Sequence, residues 1–393
     1  MSAFSRRGFL KALGVGAGAA IGTRIAGGGS LVGNAFAATE PTSVVLVHFQ
    51  GGYNAMFGSA QALQGNFGIT ANNFTGLGGG VTVDNSLADS LPAFAKAHAA
   101  CIGVRHGQSG HPAARGQLWS KGSDNAGLVL AQAMGGTSGT KAAVMGGTMI
   151  GEAPKAAYMG VSFQPINDLQ KTLDALKGAE GPRDPKRANT LVGLEGSQKM
   201  STNAVAGSPE SLAPLKNGYD TALAGLRLPP QTFDLPELKT AYKTNTDTVR
   251  TFASKLAAAE LMVRAGTNVV TIVDPGWDTH GDNSGAEVRG KMNGYVGDPL
   301  QTFLTRMTSD PNRNVVVALF GDFSRSLPGS NHQPNLSALV FGKYVKAGTS
   351  GRTDADVNLP ATTPSVAGFW AYLAAAAKVP GTPFGANPHA FVL

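Results

Sequence analysis

Five runs of aliphatic residues, free of acidic residues and of lysine or arginine, recur along the chain. They cover residues 44–49, 101–104, 268–273, 314–320 and 339–342. Segments with helical patterning lie between or after these runs, at residues 87–100, 112–121, 236–265, 285–308 and 364–377. Strands that are apolar on both faces and alternate with helices predict an α/β fold built on a mostly parallel sheet, with helices on both faces.

The N-terminus has the layout of a twin-arginine (Tat) signal peptide. Arg6 and Arg7 precede a Gly/Ala-rich apolar stretch, and Ala35-Phe36-Ala37 matches the small-x-small pattern that signal peptidase recognises. We therefore expect the Tat translocase to export the chain, residues 1–37 to be cleaved, and the mature protein to be periplasmic or secreted. The alternative is an N-terminal amphipathic helix that stays on the protein.

Composition narrows the classes of partner. Removing the four basic residues of the signal peptide lowers the formal charge from +7 to +3, and no basic cluster stands out, so nucleic-acid binding is not expected. No stretch is long and apolar enough for a stable membrane span. We predict a single domain over residues 38–393, with a Gly/Pro-rich insertion or cap at about residues 134–235.

Polar residues gather just after the predicted strands. Because ligands of parallel sheets bind at the carboxyl ends of the strands, these residues are expected to meet at one edge. Carboxylates and neutral imidazoles suit zinc, manganese or a similar divalent ion. The four predicted ligands are Asp278, His280, Asp322 and His332.

The segment His106-Gly107-Gln108-Ser109-Gly110-His111 precedes a predicted helix. A serine at the positive end of a helix dipole suits a nucleophile that attacks an anionic ester, so Ser109 is the candidate. His106 or His111 is a candidate acid, base or further ligand, and Arg325 or Arg115 a candidate for binding the ester oxygens. In the alternative interpretation, Ser109 caps the helix and the Asp-x-His pair only stabilises a turn.

The run Gly276-Trp277-Asp278-Thr279-His280, the Gly51-Gly52 that follows the first strand, and the valine-rich strand before Asp322 carry a family resemblance. The chain resembles the exported family catalogued as the domain of unknown function numbered fifteen hundred and one, which is placed in the alkaline phosphatase/sulfatase superfamily. The resemblance implies a three-layer α/β/α, alkaline-phosphatase-like fold, with ions held by aspartates and histidines and a Ser or Thr nucleophile.

The chain departs from the family pattern at several positions. Asn54 stands in place of the aspartate after Gly-Gly, Asn331 replaces the aspartate before His332, and Asp322 replaces a glutamate. An amide oxygen can ligate a metal but neutralises none of its charge, so Asn54 is predicted as a weaker ligand and one ion is favoured over two.

Two functions of different classes follow. The first is an exported metal-dependent hydrolase of phosphate or sulfate esters. The second is a degenerate, non-catalytic relative that binds an envelope or cell-surface partner, an interpretation favoured by Asn54 and Asn331. A Tat-exported oxidoreductase lacks support, since the only cysteine is Cys101 and no Gly-x-Gly-x-x-Gly opens a helix.

Overall fold

The structure is a computed structural model, and it describes residues 40–52, 55–65, 69–135, 140–177, 233–328 and 331–393, with short pieces at 192–193, 195–196 and 199–200. The predicted signal peptide and Asn54 lie outside the described residues. Within the described part of the chain, no helix has the length and apolar character needed to span a membrane.

The described residues form strands and helices in alternation. The strands are β1 Thr42–Phe49, β2 Phe74–Gly78, β3 Val81–Asp84, β4 Ala99–Arg105, β5 Ser120–Lys121, β6 Asp124–Asn125, β7 Ala142–Met145, β8 Ala157–Tyr158, β9 Val161–Ile166, β10 Val269–Asp274, β11 Asn314–Gly321, β12 Asn335–Phe341 and β13 Gly348–Thr349. The α-helices are α1 Asn85–Ala88, α2 Ala93–Ala97, α3 His111–Leu118, α4 Ala126–Ala133, α5 Leu169–Lys177, α6 Leu235–Ala241, α7 Phe252–Arg264, α8 Ala286–Lys291, α9 Gly297–Met307 and α10 Val366–Ala376. Short 3-10 helices lie at Ala55–Phe57, Ala60–Leu63 and Ala71–Asn73, and a π-helix at Met292–Val296.

Nine of these strands form one large sheet in the order β13-β4-β12-β11-β1-β10-β7-β9-β8. Strand β1 lies at its centre and pairs in parallel with both β10 and β11. Strand β12 is antiparallel to its neighbours β11 and β4. The prediction of an α/β chain with a mostly parallel sheet is therefore confirmed.

Strand β1 explains why the centre of the sheet is apolar throughout. Val45, Val47 and Phe49 belong to one hydrophobic cluster, to which α7 and α9 also contribute. Val44 and Leu46 belong to a second cluster, which includes residues of α4 and α10. Because successive side chains of a strand point to opposite faces, both faces of the sheet are covered and the strand needs apolar residues at every position.

Two predictions about the helices need correction. The segment 87–100 is not one helix, since Pro92 occupies the N-cap of α2 and the chain enters β4 at Ala99. The long helix predicted over 236–265 is two helices, α6 and α7, separated by a polar stretch that includes residues 244–248. Within the segment 134–235, for which an insertion or cap is predicted, β7 and β9 belong to the main sheet. Most of its remainder, from residue 178 to 232, lies outside the described residues.

Candidate metal centre

The candidate site lies at the edge of the sheet where β1, β4, β10 and β11 end. The parallel register pairs Phe49 with both Asp274 and Gly321, so the loops after three strands leave the sheet side by side. Asn335, the first residue of the antiparallel strand β12, pairs with Arg105, the last residue of β4. The loop before β12 therefore reaches the same edge as the loop after β4.

Four side chains from these loops converge. His111, Asp278, His280 and His332 each offer one ligand atom, and these atoms all lie within 4.8 Å of one another. Nε2 of His280 is 3.1 Å from Nε2 of His332 and 3.1 Å from Oδ1 of Asp278. Nε2 of His111 is 3.6 Å from Oδ2 of Asp278.

The separations fit a single ion. Two atoms bound to one tetrahedral zinc at about 2.0–2.1 Å are about 3.3 Å apart, close to the spacing of the three pairs measured here. Three imidazoles and one carboxylate are a donor set suited to zinc and similar ions, and no thiolate is present. The cluster is thus compatible with a bound divalent metal ion.

Trp277 anchors the loop that carries two of these groups. Its indole Nε1–H donates to Oδ2 of Asp274 at 2.9 Å, and its backbone N–H donates to the carbonyl oxygen of Gln50 at 3.1 Å. Its ring packs against Phe49 with 4.3 Å between centroids. Gly276 has a φ of +89°, which turns the chain immediately before this anchor. The residues of the Gly-Trp-Asp-Thr-His run therefore fix the loop before they present Asp278 and His280.

Asp322 orients His111 from behind the cluster. Nδ1 of His111 donates to Oδ2 of Asp322 at 2.7 Å. An ionised carboxylate only accepts hydrogen bonds, so Nδ1 carries the proton and Nε2 keeps its lone pair. That Nε2 atom is buried and has no hydrogen-bond partner within the described structure. A carboxylate behind a histidine is the usual outer partner of a metal-bound imidazole.

Asp322 was predicted as a ligand, and the structure gives it another position. Its side chain is fully buried, and its two oxygens accept hydrogen bonds from His48, His111 and Arg115. Burial alone would raise the pKa of this carboxyl. Hydrogen bonds from His48 and His111, together with the charge of Arg115, outweigh burial and lower the pKa to about 2. Asp322 is outside the group of four, and His111 belongs to it.

The other ligand groups also have outer partners. Nδ1 of His332 donates to the backbone oxygen of Ser109 at 2.7 Å, which directs Nε2 toward the cluster. Burial lowers the pKa of His332, which favours the neutral imidazole that a metal requires. Burial would raise the pKa of Asp278, but the charge of Arg325 outweighs it and holds the pKa below its usual value.

Arg325, predicted to bind the oxygens of an ester, is only 1% exposed. Its Nη2 donates to Oδ1 of Asp278 at 2.5 Å, and its Nε donates to the backbone oxygen of Gly51 at 3.1 Å. The guanidinium therefore ties the loop after β1 to the loop after β10. The alternative cation, Arg115, is paired with Asp322 and with Glu152 at 2.5 Å.

Ser109 and His106 lie in different environments. Ser109 is exposed, and its backbone oxygen accepts the hydrogen bond from His332. His106 is buried, its Nδ1 accepts from the backbone N–H of Gln108 at 3.2 Å, and burial lowers its pKa to about 4. His106 is not among the four clustered groups.

Sequence reasoning assigned no role to His48, Trp119 or Glu152. His48 is fully buried in β1 and binds Asp322, and Trp119 donates to His48 at 3.3 Å. The signal for His48 was present in the sequence, because it is the single imidazole in an otherwise aliphatic and aromatic strand end. Its partner Asp322, 274 residues further on, could not be identified without the fold.

Comparison with known protein families identifies the family of the chain. A family model described as "Protein of unknown function (DUF1501)" matches residues 141–365, which is more than half of the sequence. The chain belongs to this family. The part matched by the DUF1501 model includes Asp278, His280, Asp322 and His332, whereas His111 precedes it. A search of curated proteins found no match.

Proposed function

We propose that this DUF1501 protein is an exported metal-dependent hydrolase of phosphate or sulfate esters, with the three-layer arrangement of the alkaline phosphatase/sulfatase superfamily. The observation that carries the proposal is the cluster of His111, Asp278, His280 and His332 at the carboxyl edge of a mostly parallel sheet. Three of these groups are each held by a further residue: His111 by Asp322, His332 by Ser109 and Asp278 by Arg325. Proteins commonly orient metal ligands through such outer hydrogen bonds.

In this proposal the four clustered groups hold one zinc, manganese or similar ion. When bound, the ion would supply Lewis acidity to an ester oxygen and would favour a deprotonated nucleophile. The side chains of His280 and Asp278 are 58% and 50% exposed, so substrate reaches the cluster from solvent. The chain's own residues hold the ion and keep two of the imidazoles, those of His111 and His332, in the tautomers that bind it.

Ser109 is the proposed nucleophile. It is exposed, and its backbone oxygen is 2.7 Å from Nδ1 of His332, so the residue borders the ligand cluster. It also lies one residue before Gly110, the N-cap of the eight-residue helix α3, where free backbone N–H groups favour an anion.

Export remains part of the proposal. The twin-arginine motif and the small-x-small site support delivery by the Tat translocase to the periplasm or beyond, where an anionic ester substrate would be met.

One observation favours a second candidate, a non-catalytic relative that binds an envelope or cell-surface partner. Arg325 and Arg115 were predicted to bind the oxygens of an ester. Both instead form ion pairs with carboxylates of the site itself. Such a protein would keep the metal as a structural clamp between loops rather than as a Lewis acid.

The experiment that separates the two candidates is a hydrolysis screen with aryl phosphate and aryl sulfate esters. The protein is loaded with zinc or manganese, and the wild type is compared with Ser109→Ala and His280→Ala. Hydrolysis that both substitutions abolish supports the hydrolase with Ser109 as nucleophile. Hydrolysis that survives Ser109→Ala rejects Ser109, and a metal-loaded wild type that hydrolyses none of the esters favours the binding protein.

A further inference from the structure

A chain of buried hydrogen bonds continues behind the metal cluster into the centre of the sheet. Nε1 of Trp119 lies 3.3 Å from Nδ1 of His48, and Nε2 of His48 lies 2.7 Å from Oδ1 of Asp322. The other oxygen of Asp322 is 2.7 Å from Nδ1 of His111. This series of hydrogen bonds thus joins strand β1 to His111, the clustered residue at the start of helix α3.

The direction of every bond in this chain is determined by the chemistry of its ends. The indole of Trp119 can only donate, so Nδ1 of His48 must accept. The proton of His48 is then on Nε2, which donates to the acceptor-only carboxylate of Asp322. The same carboxylate requires the proton of His111 on Nδ1. Only one tautomer of each histidine allows all of these hydrogen bonds to form. In that tautomer, Nε2 of His111 carries a lone pair instead of a proton.

Packing fixes the plane of the His48 ring, and hydrogen bonds fix its orientation within that plane. Its ring stacks on Phe320 with 5.1 Å between centroids and an angle of 8° between the planes. His48, Trp119 and Asp322 are all fully buried, so water does not compete for their hydrogen bonds. A rotated His48 ring would leave the indole N–H or the carboxylate without its partner, which is costly in the interior.

We propose that His48, held by Trp119, is a positioning residue for the metal site. It fixes the carboxylate of Asp322, and Asp322 in turn holds Nε2 of His111 in the orientation that binds the ion. This inference rests on the metal site of the proposed function. It goes beyond that function by assigning a role to two residues that contact neither the ion nor a substrate.

A purely structural His48 would affect folding without affecting the ion. The test therefore measures metal binding in variants that remain folded, using zinc affinity by competition with a chelator and the visible spectrum of the cobalt(II)-loaded protein, which reports the geometry of the ligands. His48→Leu removes both hydrogen bonds. His48→Gln keeps an N–H donor near the position of Nε2. His389→Leu is the matched control, since His389 is also buried and contacts none of the four clustered groups in the described structure.

We expect His48→Leu to bind zinc about tenfold more weakly and to change the cobalt spectrum, at the lower end of the loss typical for outer partners of a metal ligand. His48→Gln should recover most of the affinity, and His389→Leu should match the wild type. Wild-type zinc affinity and an unchanged cobalt spectrum in folded His48→Leu would overturn the inference.

If His48→Leu does not fold, Trp119→Phe decides the question. This variant keeps an aromatic ring but lacks the donor that fixes the His48 tautomer, so zinc affinity should fall by a smaller factor, about threefold, below the range for direct outer partners. An unchanged affinity would overturn the inference. A wild-type protein that binds neither zinc nor cobalt would instead contradict the proposed function, so the two failures are distinguishable.

Discussion

Nδ1 of His111 and Oδ2 of Asp322 are 2.7 Å apart although 211 residues separate them in the sequence. This hydrogen bond connects the start of helix α3 to the residue that directly follows strand β11. It assigns different tasks to the two residues, because the imidazole faces the cluster and the carboxylate faces the core.

Replacing Asp322 by asparagine should weaken zinc binding by about 10- to 100-fold, the usual loss for an outer partner of a metal ligand. The amide carries no charge to strengthen the basicity of His111, and it no longer requires a single tautomer. Competition with a chelator measures the affinity. Asp298→Asn is the control, since Asp298 is exposed and pairs with Lys243. Equal affinities in the two variants would show that Asp322 does not support the site.

Gly51→Ala should disturb the ligand loop. Gly51 has a φ of +114°, and a Cβ placed there would lie 2.4 Å from the backbone nitrogen of Asp278. We expect a loss of at least about 1 kcal/mol in the free energy of unfolding, because alanine is strained at positive φ. Zinc affinity should fall as well, because Asp278 must move. In the loop that carries Asp278, a Cβ placed at Gly281 would have no neighbour within 4 Å among the described residues, so Gly281→Ala should leave both measurements near wild type.

Glu260→Gln should destabilise the fold far from the metal site. Glu260 is fully buried and accepts hydrogen bonds from Tyr242 at 2.8 Å, from Arg264 at 2.8 Å and from Arg306. Burial would raise its pKa, but the hydrogen bonds from Arg306 and Tyr242 and the charge of Arg264 outweigh burial and lower it. We expect the variant to lose about 2 kcal/mol in urea denaturation at pH 7, the scale of hydrogen bonds to a charged group.

The pH dependence of this loss follows from the sign of the shift. A carboxyl with a lowered folded-state pKa stabilises the protein fully above its unfolded value of 4.5, and the stabilisation disappears as the pH falls below that value. The difference between wild type and Glu260→Gln should therefore shrink below pH 4.5. A difference that stays constant down to pH 3 would contradict this account.

His389 should make the wild type less stable in mild acid. Burial lowers its pKa from 6.5 to about 4, and its ring lies against Tyr372 and Phe391. Its contribution is complete above pH 6.5, where folded and unfolded forms are both neutral, and decreases as the pH falls toward 4. Melting temperatures measured from pH 7.5 to 4.5 should fall less steeply in His389→Leu than in wild type. Parallel curves would rule out this role.

The class of fold could be predicted from the sequence because the central strands are apolar at every position, as in residues 44–47 of β1. The order of the strands could not, since pairing depends on contacts between distant segments. The antiparallel strand β12 illustrates this: only its pairing with β4 and β11 brings the preceding loop to the site. Strands β7 and β9 were missed because glycine and proline surround them and suggested an insertion.

Three members of the cluster, Asp278, His280 and His332, were predicted as ligands because they follow or precede apolar strands at one edge. The sequence could not show that His111, rather than Asp322, belongs to the cluster. Both are polar residues near that edge, and only the extent of their burial distinguishes them. Asp322 is fully enclosed, while the His111 side chain is 20% exposed and reaches the cluster. Outer partners such as the backbone oxygen of Ser109 have no signature in the sequence at all.

The metal content of the purified protein shows whether the four clustered groups hold an ion. The mature protein, purified without chelator or an affinity metal, is analysed for elements alongside His280→Ala, a variant of a half-exposed side chain whose loss should cost the fold little. We expect about one equivalent of zinc, manganese or a similar ion in the wild type and a large loss in the variant. A folded wild type without metal, or equal metal content in both proteins, would contradict it.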